Sequence, residues 1–263
     1  MLQLAKFIVK RGVDSLEQKP RYHLLDSLRA IALINMIAYH AMFDIVYIFG
    51  VRAKWYMSKG SDIWQMFICC TFIILSGFCW QLGGKKLKRG LLVLGGSAII
   101  TIVTVVFMPS QKILFGVLSL IGSAMIIMIP LHHVFKRINP FIGVVISVLL
   151  YTMFRNINHG GVYLFNTMLF ALPQELYANN FTAYLGFPPF MFSSSDYFPL
   201  LPWIFLYFAG YFLYGVFVSL NLLSFLKSPR IKPLEWIGRN SLIIYMLHQP
   251  VVYGVLCVIF EIL

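Results

Sequence analysis

Seven apolar runs, each about as long as a membrane is thick, decide what this chain can become. They fall over residues 24–49, 62–82, 90–108, 113–135, 140–155, 199–223 and 240–262, the fifth being the shortest. A spanning helix needs about 20 mostly apolar residues. Only 11% of the residues are charged and 60% are hydrophobic, whereas soluble domains carry about 25% charged residues. A soluble core of this length could not hide so much apolar surface. The expected class is therefore an all-α integral membrane protein, a single polytopic helical bundle of about seven spans. Residues 24–263 form that bundle. Residues 1–23 mix basic side chains with Leu2, Leu4, Phe7, Ile8 and Val9 and read as an amphipathic cytoplasmic segment, too charged for a secretory leader. The long segment 156–198 is aromatic and rich in Asn, Pro and Ser, and leaves room for an eighth short span around 161–177.

The net charge of +12 would suit nucleic acid, but its distribution has a simpler cause. With the N-terminus in the cytoplasm, the inside segments (6–21, 85–89, 136–137 and 227–239) hold fifteen Lys and Arg, against five outside: Arg52, Lys54, Lys59, Lys112 and Arg155. Basic loops stay cytoplasmic, so no nucleic-acid partner is expected. The segment 156–198 and the C-terminus then lie outside. Cys69, Cys70, Cys79 and Cys257 all sit in apolar stretches and read as packing residues. The small residues Gly116, Ser119, Gly122 and Ser123 read as a helix-packing face. No internal repeat of the inverted-transporter kind is evident.

The first span is the anomaly. At about 100° per residue, Asp26, Arg29, His40 and Asp44 share one stripe roughly 60° wide, with Asn35 on the opposite side as a candidate interhelical hydrogen bonder. His40 lies roughly 16 Å further along the axis than Arg29. Each such group costs about 2.5–3.5 kcal/mol to insert, so the stripe is expected to face the bundle or a watery cavity. Asp44, at i+4, is placed to orient the His40 ring. Imidazole beside carboxylate serves general-base or nucleophilic chemistry.

Other positions carry chemistry of their own. Gly238-Arg239-Asn240-Ser241 opens the last span, and a helix N-terminus beside an arginine suits phosphate. Pro250 is expected to kink that helix. Asp196, three residues before Pro199, reads as a cap of the sixth helix or a contact to an acceptor. His132 and His133 lack a third ligand, so no metal site is expected.

Asp26-Ser27-Leu28-Arg29-Ala30 followed by His40 fits the arginine, ten residues, histidine pattern of the membrane acyltransferase-3 family. The chain more fully resembles the bacterial membrane family related to the catalytic domain of heparan-alpha-glucosaminide N-acetyltransferase. That resemblance runs through Phe72-Ile-Ile-Leu-Ser-Gly77, Leu87-Lys-Arg-Gly90, Phe115-Gly-Val-Leu-Ser-Leu-Ile-Gly122, Leu185-Gly-Phe-Pro-Pro189, Ser195-Asp-Tyr-Phe-Pro-Leu-Leu-Pro-Trp203 and Gly238-Arg-Asn-Ser-Leu-Ile-Ile-Tyr-Met-Leu-His-Gln-Pro250.

The resemblance implies a multi-pass enzyme of a bacterial plasma membrane. It would move an acyl group, acetyl above all, from cytoplasmic acyl-CoA to a hydroxyl or amine of an extracytoplasmic, glycan-type acceptor. On that reading His40 and Asp44 are catalytic. Asp26, Arg29, Lys88, Arg89, Arg239, Asn240, Ser241 and Tyr245 hold the donor, while His248, Gln249 and Asp196 bind the acceptor. Acetyl-CoA is the only cofactor expected; membrane lipids are partners, and a homodimer is left open. The alternative is a proton-coupled transporter or flippase with a His40–Asp44 relay.

Overall fold

Inside a bilayer, backbone N–H and C=O groups have no water to turn to, so an apolar run must satisfy them within its own helix. The computed structural model describes residues 21–164 and 167–262; most of the amphipathic N-terminal segment lies outside the described residues. Among those described, seven helices are long and apolar enough to cross a membrane. They are α1 (His23–Phe43), α2 (Lys59–Trp80), α3 (Lys86–Phe107), α4 (Val117–Phe135), α5 (Pro140–Phe154), α7 (Leu200–Ser219) and α9 (Ser241–Ile262). Two short helices, α6 (Asn180–Leu185) and α8 (Lys232–Arg239), lie between spans. The protein is an all-α polytopic membrane protein.

The room left for an eighth span is filled differently. Residues 161–177 hold an antiparallel pair, β1 (Gly161–Leu164) with β2 (Thr167–Ala171), and a 3-10 turn, Gln174–Tyr177. The stretch between Gly161 and Pro173 is roughly half of what a span needs, and pairing two strands satisfies its backbone instead.

Alternating spans give the bundle two ends. Arg21, the 81–85 turn and α8 lie at a basic end; the hairpin and the segment before α7 lie at the other, the hairpin end. Ile73 of α2, Leu120 and Met128 of α4 and Tyr207 of α7 fill the middle with no exposure. There α2 and α7 touch backbone to backbone. A Cβ on Gly77 would sit 2.0 Å from the Tyr207 carbonyl oxygen, and one on Gly210 2.1 Å from that of Ile74. Lipid tails are as apolar as leucine, so close backbone approach is what holds such helices together. The small face of α4 packs as expected: a Cβ on Gly122 would lie 2.9 Å from the Leu94 backbone nitrogen of α3. Leu91, Ile102, Val145, Val251 and Val255 point outward from α3, α5 and α9.

Helix α1 packs against α2, α8 and α9. On the α2 side the Trp64 indole N–H donates to Asn35 Oδ1 at 3.0 Å, the interhelical bond that Asn35 offered. On the α8 side a Cβ on Gly238 would lie 2.0 Å from the Asp26 carbonyl oxygen, so only glycine lets the short helix seat against α1.

Candidate active site

The stripe on α1 faces its neighbours: Arg29 meets α2, and His40 and Asp44 both meet α9. At the basic end Arg29 Nη1 donates to Asp26 Oδ1 at 2.8 Å, and Arg29 Nη2 to the Cys79 Sγ of α2 at 2.7 Å. Asp26 also accepts from Arg21, at 2.9 Å from Nη2. The Gly83 amide bonds back to the Cys79 carbonyl, and the Arg89 guanidinium lies where a Gly83 side chain would stand. Arg29 and Arg89 are thus brought to one end of α2. Lys88 is exposed on the same rim and joins no described contact.

A second carboxylate organises that end, and sequence reasoning passed over it. Glu235, on α8, is 3% exposed yet has cations on every side. Its oxygens lie 3.1 Å from Arg230 Nε, 3.3 Å from His23 Nδ1, 3.4 Å from Arg21 Nε and 3.7 Å from Arg239 Nη2. Burial alone would push the Glu235 carboxyl up. The Arg230 hydrogen bond and the charges of Arg230, His23 and Arg239 outweigh burial and hold it below the usual carboxylate range. Four arginines around two carboxylates leave a surplus of positive charge at this end. Asn240, expected to face phosphate, instead donates to the Trp236 carbonyl at 2.9 Å and caps α8, and Ser241 opens α9.

Midway along, His40 meets the last helix. Its ring centroid is 5.0 Å from that of His248, which in turn contacts the Tyr245 ring at 5.5 Å. The His248 Nδ1 bonds to the Tyr245 carbonyl. A carbonyl can only accept, so Nδ1 carries the hydrogen, and in the neutral ring Nε2 keeps a bare lone pair. That Nε2 is buried and has no partner among the described residues. The His40 ring has no hydrogen bond to any described residue.

Asp44 does not orient His40. It is wholly buried and opens a π-helical turn, Asp44–Ile48, that ends α1. Both of its carboxylate oxygens accept from Gln249 Nε2, at 2.8 and 3.1 Å. The expected i+4 pair gives way because a primary amide reaches across from α9 and bridges both oxygens. The α1 stripe therefore meets α9 twice: His40 with His248, and Asp44 with Gln249.

Asp196 caps a helix, but not the one expected. It accepts from the Val117 N–H at 3.3 Å, at the start of α4, while Pro199 at the head of α7 has no side-chain cap. Burial pushes the Asp196 carboxyl up to about 6, a rise that the Val117 bond partly offsets.

Arg29, His40, Asp196, Tyr245 and His248 are each largely enclosed by protein yet keep accessible surface. Among the described residues, no group of three or more His, Cys, Asp or Glu is placed to hold a metal ion.

A seven-span bundle with its ionisable groups turned inward between α1, α2 and α9 is a multi-pass membrane protein with an intramembrane polar site. The family model of heparan-alpha-glucosaminide N-acetyltransferase, catalytic, matches residues 21–250. The chain belongs to that family, which makes it a transferase of the membrane acetyltransferase type. No curated protein and no solved structure matches it.

Proposed function

We propose that this protein transfers an acyl group, acetyl above all, from cytoplasmic acyl-CoA to a hydroxyl or amine of an acceptor on the other side of a plasma membrane. The basic end faces the cytoplasm, in keeping with the distribution of Lys and Arg. The observation that carries the reading is the His40–His248 pair between the first and last spans in a chain of this family.

The residues at the basic end suit the donor's phosphates: Arg29 and Arg89 at the end of α2, Arg239 beside Glu235, and Lys88 on the rim. A guanidinium offers five N–H groups, and Arg29 spends two of them on Asp26 and Cys79. The donor supplies a thioester. The chain supplies a base: one imidazole of the pair takes the acceptor's proton as its oxygen or nitrogen attacks the thioester carbon, and returns it to the departing thiolate. A general base is worth about 10²–10⁴ in rate. Asp44 and Gln249 hold α1 and α9 in register and thereby position both rings. Tyr245, nearer the basic end of α9 than His248, lies on the donor side of the pair, and Asp196, at the hairpin end, on the acceptor side.

The relay alternative needs His40 to pass protons to Asp44, and the Asp44 carboxylate is already engaged by Gln249. The test is release of CoA from acetyl-CoA by purified protein reconstituted in vesicles, with His40→Ala beside it. Turnover that His40→Ala abolishes is expected; full turnover in that variant would remove His40 from the chemistry.

A further inference from the structure

Helix α8 closes the 220–240 segment that joins the basic ends of α7 and α9, and it has two unlike faces. Glu235 and Gly238 are buried against the start of α1. Lys232, Trp236 and Arg239, spaced i, i+4 and i+7, share an exposed face. Trp236 is 62% exposed; ahead of the helix Phe225 is 66% exposed, and Ile231 stands out between them. Keeping a loop cytoplasmic requires only its cations. It gives no reason to display large apolar side chains among them.

Neither water nor the bundle interior suits this surface. An indole and a phenyl ring among Lys227, Arg230, Lys232 and Arg239 match the headgroup layer of a bilayer. There an apolar ring is buried at the acyl boundary while a basic chain reaches phosphate. The charges match as well. Lys227 and Lys232 enter no described ion pair, and Arg230 gives only its Nε–H to Glu235, at 3.1 Å. Its four terminal N–H groups make no described hydrogen bond, a free fork of the kind that grips phosphate oxygens. Glu235 is already encircled by Arg21, His23, Arg230 and Arg239, so no described carboxylate is left to balance this face. Anionic lipid at the cytoplasmic surface supplies that counter-charge.

We infer that the face of α8 bearing Lys232, Trp236 and Arg239, with Arg230 beside it, binds the headgroup of an anionic phospholipid in the cytoplasmic leaflet. Nothing in this depends on acyl transfer; it needs only that the basic end face the cytoplasm. Arg239 also serves the proposed donor site, so the test rests on Lys232 and Trp236.

The test reads lipid at Trp236 with no donor present. Full-length protein carrying fluorotryptophan is reconstituted in phosphatidylcholine nanodiscs, and the Trp236 fluorine signal is assigned as the one missing from Trp236→Phe. Phosphatidylglycerol or phosphatidylcholine spin-labelled high on its acyl chain is then included at equal content. Phosphatidylglycerol should broaden the signal several-fold more. Lys232→Gln should cut that preference about five-fold, the share of one cation at a membrane surface. Lys59→Gln, at the opposite end of the bundle, should leave it unchanged. Both lysines are exposed, and an unchanged unfolding midpoint checks that the variants fold. Equal broadening by the two lipids, broadening by a water-soluble relaxation agent alone, or a preference that survives Lys232→Gln overturns the inference. So does loss of the phosphatidylglycerol effect on adding CoA, which would give these cations to the donor. A lipid preference in protein that releases no CoA from acetyl-CoA would sink the proposed function and leave the lipid site; CoA release without lipid preference would do the reverse.

Discussion

His40 and His248 face one another with ring centroids 5.0 Å apart, and the Nδ1 of His248 is committed to the Tyr245 carbonyl. The pair joins the first span to the last. It presents a bare Nε2 beside a second imidazole that carries no hydrogen bond to any described residue. On the proposed chemistry, His40→Ala and His248→Ala each lower kcat by about 10²–10⁴. If the rings act as one unit, the double variant is little worse than the poorer single one. Steady-state CoA release checks both statements, and additive losses would separate the two roles.

Gln249 is the sole described hydrogen-bond donor to the Asp44 side chain. Replacing Gln249 by Leu strands a buried carboxylate and costs about 1–3 kcal/mol or more. Asp44→Asn keeps an acceptor for the amide and is milder. Thermal unfolding in detergent ranks the two, and an equal or reversed order would show that the bond adds no stability.

The α2–α7 crossing gives a prediction with an internal control. Gly210→Ala pushes a methyl against the Ile74 carbonyl and destabilises by about 1–3 kcal/mol, the scale of overpacking. Gly95, in α3, has open space at its Cβ position, so Gly95→Ala is neutral or stabilising by up to about 1 kcal/mol. Denaturant or thermal midpoints of the pair decide it.

Two carboxylates predict opposite pH effects. The folded Glu235 carboxyl lies below its unfolded value of 4.5. Its contribution is therefore full above pH 4.5 and is lost as the pH falls further, through the lowered folded value. The stability difference between wild type and Glu235→Gln should shrink in acid over that window. A difference that grows in acid would contradict the clamp of Arg21, His23, Arg230 and Arg239.

Asp196 runs the other way. Its folded value of about 6 lies above the unfolded 3.8, so the folded state holds the proton more tightly. Its contribution to stability falls as the pH rises from about 3.8 to about 6 and is then level. Asp196→Asn keeps an acceptor for the Val117 N–H without the charge. It should match wild type below that window and exceed it above, by at most roughly 3 kcal/mol at about 1.4 kcal/mol per pH unit. Unfolding midpoints across the range check the crossover.

The sequence by itself determined the seven spans, because a bilayer leaves a run of about 20 apolar residues one way to satisfy its backbone. It also determined that Asp26, Arg29, His40 and Asp44 share a face of α1, because the helix repeat is fixed. Asn35 is the same kind of case, since its partner had to lie on another helix and does, on Trp64. What the sequence could not supply was which helix that face would meet. Asp44 had an obvious neighbour in His40, one turn away, and the structure gave it Gln249 from the far end of the chain. Asp196 stood just ahead of α7 and caps α4. Glu235 carried no signal in the sequence and gained its cation partners only where Gly238 let its helix settle on Asp26. Periodicity fixes direction around one helix axis; packing between helices is set by shape, and glycines such as Gly77, Gly210 and Gly238 exert their effect only once two backbones are brought within a few ångströms of each other.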